Sequence, residues 1–473
     1  MQLLDLLDKD QKVQVKIFTY FLQKGQTIKI KELNDRMDVS YPTLQKAVNA
    51  LTTTLTGFDS KATLTKKNSD YLQLMLPSHF SVKDFFYTYL KQALNYQLLI
   101  SILQEKEVTV TKLTWENNLS EASIFRRLKT INQILAEFDI QFKNKKLNGS
   151  ELQIQHFYFQ LVNKAIPKEK LNTIMTEPSI NNLINVIEKQ LQLHFSKKQE
   201  QMLKLRLHIM QQRLDYRQVP KSNVAEGLLR QIEKDHFYQE LKNILARFLS
   251  RFALAATNYE AVHLYLFFIS EGLLSQNSNW WQQSPFVKYF SSIEQEIYQA
   301  ITKESGKDLT FTAFLLQIHV KITFYKGEIN SSEADTLLLS DIDAQAMNQC
   351  MTLVEKRLSR KVSHSQWEML DYSYGLIRDI YQRRQQKEVL VGVIDDGSLF
   401  AEETFRFVKQ ALAGMSHVTV KKAKNYSYDL LVASVNTDLQ EFSYKKAYLL
   451  TGTLSSFEAE RLKRVATVIV KEK

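Results

Sequence analysis

Three of the nine histidines lie inside amphipathic helical patterns, where a polar ring is unusual. They are His208 in LKLRLHIMQQRL, His263 in NYEAVHLYL and His319 in FLLQIHVKITFYKG. Taken singly, each fits a hydrogen-bonded histidine at a core edge. Taken as a set, they fit reactive imidazoles that accept a phosphoryl group as nucleophiles. None has a second histidine or carboxylate at the spacing of a metal site, so we predict no bound metal.

The segments around these histidines are helical in pattern from about Leu171 to Arg384. Apolar residues recur three and four positions apart in SINNLINVIEKQLQLHF, EQMLKLRLHIMQQRL and YEAVHLYLFFISEGLL, and again from SIEQEIYQAI to WEMLDYSYGLIRDIYQR. Each set has a histidine in an apolar run with cations a turn or two later: Arg213 and Arg217 in the first set, Lys321 and Lys326 in the second. We therefore predict two similar all-α helical bundles.

A cationic amphipathic helix is predicted in LSEASIFRRLKTINQIL, residues 119–135. Helical spacing puts Ile124, Leu128, Ile131 and Leu135 on one apolar face, and the N-cap Ser120 begins the helix. The preceding VTVTKLTWENN predicts a shorter helix, joined to it near Asn118. Two short helices with a tight joint, the second cationic outside, are typical of a helix-turn-helix whose second helix enters the DNA major groove. The alternative is that the cationic side chains form an ordinary solvent-exposed helix face with no DNA contact.

The same pattern occurs about 80 residues earlier, in IKIKELNDRMDVSYPTLQKAVNAL. Ser40 caps its second helix and falls on Ser120 when the chain is shifted, and Leu44 falls on Ile124. The match continues through Phe58-Asp59 on Phe138-Asp139, Asn68 on Asn148, and LQL from Leu72 on LQI from Leu152. We interpret this long constant offset as a tandem duplication.

Each copy is predicted to end in a β-hairpin wing, ATLTKKNSDYLQL and IQFKNKKLNGSELQI. Asn68-Ser69-Asp70 and Asn148-Gly149 are the predicted turns. Wing lysines beside the turns can contact phosphates, or they can simply protect a strand edge: Lys66, Lys67, Lys143, Lys145 and Lys146. The residues predicted to face the groove are Gln45, Lys46 and Asn49 in the first unit and Ser123, Arg126, Arg127 and Lys129 in the second.

The composition agrees with a polyanionic partner. The net charge is +11 and the pI is near 9.2, which favours nucleic acid over an acidic partner. At 473 residues the chain should divide into several domains. The single cysteine, Cys350, excludes an internal disulfide framework and suits a reducing compartment. No signal-peptide layout or membrane-length apolar run is present, so we predict a soluble cytoplasmic protein.

The last segment has an alternating strand and helix pattern. EVLVGVIDDGSLFAEETFRFVKQAL predicts strand, turn and helix, followed by strands at YDLLVAS and KAYLLTG, a helix at SSFEAERLKRVA and a final TVIVK. This alternation predicts a small parallel α/β layer.

In this order of elements the chain resembles the Mga/AtxA family of transcription regulators. The resemblance implies two winged helix-turn-helix units, two phosphotransferase-regulation domains and a tail like a sugar-transporter EIIB domain. It implies that the phosphocarrier protein of the sugar phosphotransferase system phosphorylates histidines of the bundles. By similarity LHIMQQRL supplies His208, NYEAVHLYL supplies His263 and LQIHVKI supplies His319. The partner segment WEMLDYSYGL has tyrosines where the family often has a histidine, and His364 lies too early to replace it.

The tail departs from a working EIIB domain. Such a domain carries a nucleophilic cysteine in the loop after its first strand, where backbone N–H groups hold phosphate. Here that loop is Ile394-Asp395-Asp396-Gly397-Ser398. We therefore predict that phosphotransfer is lost, and the resemblance implies self-association of this domain into a homodimer.

We predict a multidomain, mainly α protein with domains at 1–78, 79–160, 168–282, 286–386 and 388–473. The predicted function is a DNA-binding transcription activator, not an enzyme, with no cofactor and no membrane partner, tuned by histidine phosphorylation. An RNA-binding antiterminator with the same regulation domains is the alternative, but that class carries a small β-rich RNA-binding module in place of winged helices. No Walker phosphate-binding motif occurs.

Overall fold

The computed structural model describes residues 1–105, 107–214, 226–251, 258–306, 308–329, 343–385, 388–395, 399–415, 417–424, 426–434, 439–450 and 454–473. The chain divides into two compact units, Met1–Tyr374 and Gly375–Lys473. The fold is mainly helical with a small parallel sheet in the second unit, as predicted. Within the described ranges, every helix is too short or too polar to span a lipid bilayer.

The first winged unit follows a short 3-10 turn, Leu3–Leu6. Its elements are α1 (Lys9–Lys24), β1 (Thr27–Lys29), α2 (Ile30–Met37), α3 (Tyr41–Phe58), β2 (Thr63–Lys66) and β3 (Tyr71–Met75). The strands form an antiparallel sheet in the order β1-β3-β2. Asp38 turns the chain between α2 and α3 in the left-handed conformation, with φ 51°. Ser40 then caps α3, because its Oγ accepts a hydrogen bond from the Thr43 N–H.

The second winged unit repeats this arrangement. Its elements are α4 (Val82–Leu90), α5 (Leu94–Gln104), α6 (Val110–Asn117), α7 (Glu121–Ala136), β4 (Gln141–Lys143), β5 (Lys146–Asn148) and α8 (Glu151–Ala165). Asn118 is left-handed with φ 51°, and Ser120 caps α7, at the positions equivalent to Asp38 and Ser40. The two helix-turn-helix joints and their caps therefore lie where the sequence predicts them.

Both units have a hairpin after the helices, but they diverge within and after it. Leu72 lies in β3, whereas the position 80 residues later, Leu152, lies in the first turn of α8. The hairpin turn of the second wing is formed by Asn144 and Lys145, both left-handed with φ 53° and 65°, so the predicted Asn148-Gly149 turn is wrong. The segment ELQI was predicted as a strand because its apolar residues alternate. In the structure it begins α8, a helix that is buried on nearly every side.

Ten described helices and the first half of an eleventh, α19, continue the first unit. They are α9 (Lys168–Ile174), α10 (Pro178–Leu191), α11 (Lys197–Arg213), α12 (Glu226–Glu233), α13 (His236–Ser250), α14 (Asn258–Ser270), α15 (Asn279–Gln283), α16 (Pro285–Thr302), α17 (Leu309–Phe324), α18 (Ala344–Leu358) and α19 (His364–Gln385). α10 packs on α11 and α13, and α16 packs on α17 and α18. α14 packs on α17 and joins the two groups, so one apolar core runs from the first winged unit to α17.

The chain that leaves α17 packs against the second winged unit. We call residues Phe324–Ile329 the strap. Lys326 in the strap forms an ion pair with Asp139, Nζ to Oδ2 2.6 Å. Gly327 is left-handed, with φ 71°, and lies so close to the Phe138 ring that an added Cβ would be 2.8 Å from it. Only glycine suits this contact, because it has no Cβ and adopts positive φ without strain.

The other side of the strap is bound to α8. Gln153 donates its amide to the Phe324 carbonyl at 2.7 Å and accepts from the Lys326 N–H at 2.9 Å. Gln160 accepts from the Ile329 N–H at 2.8 Å. These buried amides satisfy backbone groups that would otherwise lose their hydrogen bonds on burial.

The second compact unit contains the predicted parallel α/β layer. Its elements after α19 are β6 (Val389–Val393), α20 (Leu399–Leu412), β7 (Val418–Lys422), β8 (Ser427–Ser434), β9 (Ser443–Leu450) and α21 (Ser456–Glu472). All strand pairs are parallel, in the order β7-β6-β8-β9, and α20 packs on α21.

The final TVIVK is not a strand, because α21 continues through it. Leu462, Ala466 and Ile469 recur at helical spacing and are buried in the core of this unit. No turn residue separates this apolar face from the preceding helix, so nothing ends the helix before Glu472. The β7 strand, VTVKK, was not predicted.

We expect Gly327→Ala to destabilise the protein by about 1–3 kcal/mol, because the new methyl group overlaps the Phe138 ring and the backbone is left-handed. The matched control is Gly57→Ala in α3, where an added Cβ has nothing within 4 Å. That change should stabilise by roughly 0.5–1 kcal/mol, since alanine favours the helix. Thermal unfolding of both variants measures the difference. Equal shifts of the same sign would contradict the close packing of the strap.

Candidate nucleic-acid interface

The outer face of α7 carries three neighbouring exposed side chains, those of Phe125, Arg126 and Lys129. The buried face holds the four predicted apolar residues, Ile124, Leu128, Ile131 and Leu135. Arg126 stays close to its own helix, where its guanidinium donates to Ser123 Oγ at 3.3 Å. The helix therefore presents two cations and an aromatic ring on the side away from the core.

Arg127 lies apart from this face. Its Nη1 donates to Asp8 Oδ1 at 2.6 Å and to Asn95 Oδ1 at 3.2 Å. Asp8 precedes α1 of the first winged unit, and Asn95 lies in α5 of the second. The side chain thus connects the two winged units, and of the arginine pair only Arg126 lies on the outer face.

The predicted residues of the first unit are exposed on α3. Gln45, Lys46 and Asn49 all face outward, on the side opposite the buried Leu44 and Leu51. Lys46 Nζ lies 3.9 Å from a carboxylate oxygen of Asp10, with both side chains largely exposed. Such an exposed pair contributes little and leaves the lysine accessible.

The wing lysines differ in their surroundings. Lys66 and Lys67 are exposed at the tip of the first hairpin, and Lys143 and Lys145 are exposed in the second. Lys146 is partly buried and pairs with Glu107, Nζ to Oε1 2.9 Å. Part of its charge is therefore already balanced by a carboxylate.

Two exposed aromatic side chains near the second joint were not predicted as site residues. Phe125 on α7 is 56% exposed and Trp115 on α6 is 85% exposed. Both lie off the apolar stripe of their helix. The helical spacing of the sequence could therefore have predicted that they are exposed. Phenylalanine can contact the methyl group of thymine in the major groove.

The three predicted histidines are in different environments. His208 on α11 is nearly buried, and its Nδ1 lies 3.0 Å from Glu177 Oε1. It lines a cavity of about 370 Å³ whose other walls include Tyr96 from α5 and Tyr158 from α8. Its ring is therefore reached from an open volume beside the second winged unit.

His263 and His319 are also buried. Burial and the positive charge of Arg206 lower the pKa of His263 to about 3, so its ring is neutral at physiological pH. Both nitrogens of His319 have partners, Glu294 Oε1 at 2.7 Å and Tyr374 Oη at 2.7 Å. Tyr374 comes from WEMLDYSYGL, the segment whose tyrosines replace the expected histidine.

The described cations that follow the histidines are already paired. Arg213 is buried and bound to Glu151, Nε to Oε1 2.6 Å, so it is unavailable to a phosphate on His208 without breaking that pair. Lys321 pairs with Glu271 at 2.9 Å. Arg217 lies outside the described residues.

The loop after β6 is described only to Asp395, and Asp396, Gly397 and Ser398 lie outside the described residues. Asp395 pairs with Lys422, Oδ2 to Nζ 2.7 Å. This contact holds the pKa of Lys422 above its usual value. Cys350 is buried in α18, and burial raises its thiol pKa to about 12, so it is not a substitute nucleophile.

Residues 78–162 match the family described as the Mga helix-turn-helix domain. That range covers α4–α7, both wing strands and most of α8, and so includes the exposed face of α7. The second winged unit is therefore similar to the Mga helix-turn-helix domain. It is also similar to the capsule synthesis positive regulator AcpA of Bacillus anthracis, with 20% identity over 245 residues. The match spans about half of this chain and about half of AcpA.

We expect Arg127→Ala to destabilise the chain by about 0.5–1 kcal/mol, because it removes the pair with Asp8. Arg126→Ala should leave stability unchanged, since that side chain is exposed on its own helix. The measurement is thermal unfolding in a double-mutant cycle with Asp8→Asn, which retains a side chain able to cap α1. A coupling energy between Asp8 and Arg127 is expected, and none between Asp8 and Arg126. The reverse pattern would contradict the connecting role of Arg127.

Proposed function

We propose that this chain is a DNA-binding transcription activator that binds duplex DNA through both winged units. The observation that carries the proposal is the exposed outer face of α7, in the domain that matches the Mga helix-turn-helix family. Arg126 and Lys129 lie where a recognition helix contacts base edges and phosphates. Phe125 adds an apolar contact on the same face.

The first unit supplies a second DNA contact in this proposal. Gln45 and Asn49 have the amide groups that pair with adenine edges, and Lys46 has the charge that attracts phosphate. The exposed wing lysines Lys66, Lys67 and Lys145 contact the backbone on either side of the groove. Arg127 sets the orientation of one recognition helix relative to the other through Asp8, so its effect on DNA binding is indirect.

We further propose that phosphorylation of His208, His263 and His319 by the phosphocarrier protein tunes this activity in the cytoplasm. A phosphoryl group adds roughly −1.5 to −2 charges, and in a buried site this charge requires rearrangement of the carboxylates nearby. Glu177 at His208 and Glu294 at His319 would then repel the modified ring. Whether each phosphorylation activates or inhibits depends on which arrangement of the winged units binds DNA.

Two contact routes lead from the histidines to α7. The cavity at His208 is walled by Tyr96, whose neighbour Asn95 accepts a hydrogen bond from Arg127. His319 lies on α17, which leads into the strap, and Lys326 of the strap pairs with Asp139 just after α7. A shift at either histidine can therefore change how the second winged unit is held.

We also propose that the second compact unit associates with its copy to form a homodimer. A dimer binds two DNA half-sites more tightly than a monomer binds one, so control of association would control occupancy.

We expect purified protein to prefer duplex DNA over hairpin RNA across a salt series. The Arg126→Ala/Lys129→Ala double variant should bind duplex more weakly, with a salt slope shallower by about 2, because two cationic contacts are lost. Lys288→Ala, an exposed lysine of α16, is the matched control and should behave as wild type. Equal or tighter RNA binding, or a double variant that matches wild type, would overturn the assignment.

We expect phosphorylated carrier protein to label wild type on histidine and to leave the His208→Ala/His263→Ala/His319→Ala variant unlabelled. In a His208→Ala/His263→Ala background, Tyr374→Phe should raise the labelling rate of His319, because it removes a hydrogen bond that occupies Nε2. Tyr372→Phe, an exposed tyrosine two residues away, is the control. Labelling of the triple variant would refute these phosphosites, and equal rates in the two tyrosine variants would refute the role of Tyr374.

A further inference from the structure

A second cavity lies between α1, α4 and the end of α8, and none of the three predicted histidines lines it. Its volume is about 490 Å³, and most of its walls are apolar side chains: Leu3, Leu4, Val15, Phe18, Leu22, Val82, Phe85 and Phe86. A cavity of this size suits a small molecule, since ligand sites usually measure roughly 300–1,000 Å³.

The open side of the cavity has both apolar and cationic groups. Leu22 and Val82 line it and remain 43% exposed, which extends the apolar face of α1 and α4 past the core. Lys83 also lines it, and its Nζ donates to the Asn163 carbonyl at 2.9 Å. Among the described residues no carboxylate forms an ion pair with Lys83. The other lining lysine, Lys164, is already bound to Glu328 at 2.6 Å.

We propose that this cavity binds a small amphipathic carboxylate, whose alkyl chain lies along Phe18 and Phe85 and whose carboxylate pairs with Lys83. The apolar walls gain from excluding water, and a single cation at the mouth selects an anionic head group over a neutral one. Because the walls come from α1 and α4, an occupied cavity braces the first winged unit against the helix that begins the second. This inference does not depend on DNA binding or on phosphorylation.

The test is titration of the purified full chain with decanoate by calorimetry, below the micelle concentration. We expect saturable binding of one molecule per chain, and roughly tenfold tighter binding of dodecanoate because two more methylene groups are buried. Lys83→Gln should weaken decanoate at least tenfold and leave decanol binding unchanged. Lys91→Gln, at the other end of the same helix and outside this cavity, is the matched control and should bind as wild type.

A second variant tests the cavity without touching its charge. Val82→Trp places a large ring at the exposed mouth, where the buried core is not disturbed, and should abolish binding of both decanoate and decanol. A membrane headgroup is the other source of an amphipathic anion, so co-sedimentation with phosphatidylglycerol vesicles is measured in parallel. Vesicle binding without decanoate binding would overturn the proposal. It would also be overturned by no saturable decanoate binding, or by wild-type affinity in both Lys83→Gln and Val82→Trp.

Discussion

The close contact between Gly327 and Phe138 determines how the helical region meets the second winged unit. Phe138 lies in the short segment between α7 and β4, and the strap that packs on its ring is the direct continuation of α17. Backbone groups on both sides are satisfied by glutamine side chains of α8, so the strap is bound along its length. Tyr325 of the strap also stacks on His156 of α8, with ring centroids 4.2 Å apart. Packed interfaces of this kind shift between discrete arrangements rather than deforming gradually.

The burial of His263 and His319 follows from the packing of the helices that carry them. α14 and α17 carry His263 and His319 and lie against each other in the middle of the continuous core. A polar ring in such a place needs a partner or must stay neutral. His319 has Glu294 and Tyr374 as partners, whereas burial and Arg206 keep His263 neutral through its lowered pKa. His208 differs because it lines a cavity and has Glu177 as its partner.

Local features of the sequence predicted the helix-turn-helix parts correctly. Ser40 and Ser120, the left-handed joints before them and the apolar spacing of α7 act within one or two turns, so they are readable without tertiary contacts. The second hairpin turn and the start of α8 were mispredicted because similar residues, Leu72 and Leu152, meet different neighbours in the two copies. The hydrogen-bond partners of the histidines were also missed, because they are distant in the sequence. Tyr374 lies 55 residues from His319 in the sequence, and no local pattern predicts a contact over that separation.

The adjacent arginines of α7 illustrate what a single helix cannot reveal. Successive residues of a helix are separated by about 100°, so Arg126 and Arg127 must point in different directions even though both lie off the apolar stripe. Which of them meets solvent depends on where α1 lies, and α1 belongs to the other winged unit. Asp8 at the start of α1 attracts Arg127 inward and leaves Arg126 beside Phe125. The two side chains therefore have different surroundings: Arg127 connects α7 to the start of α1 and to α5, whereas Arg126 stays exposed on the outer face of α7.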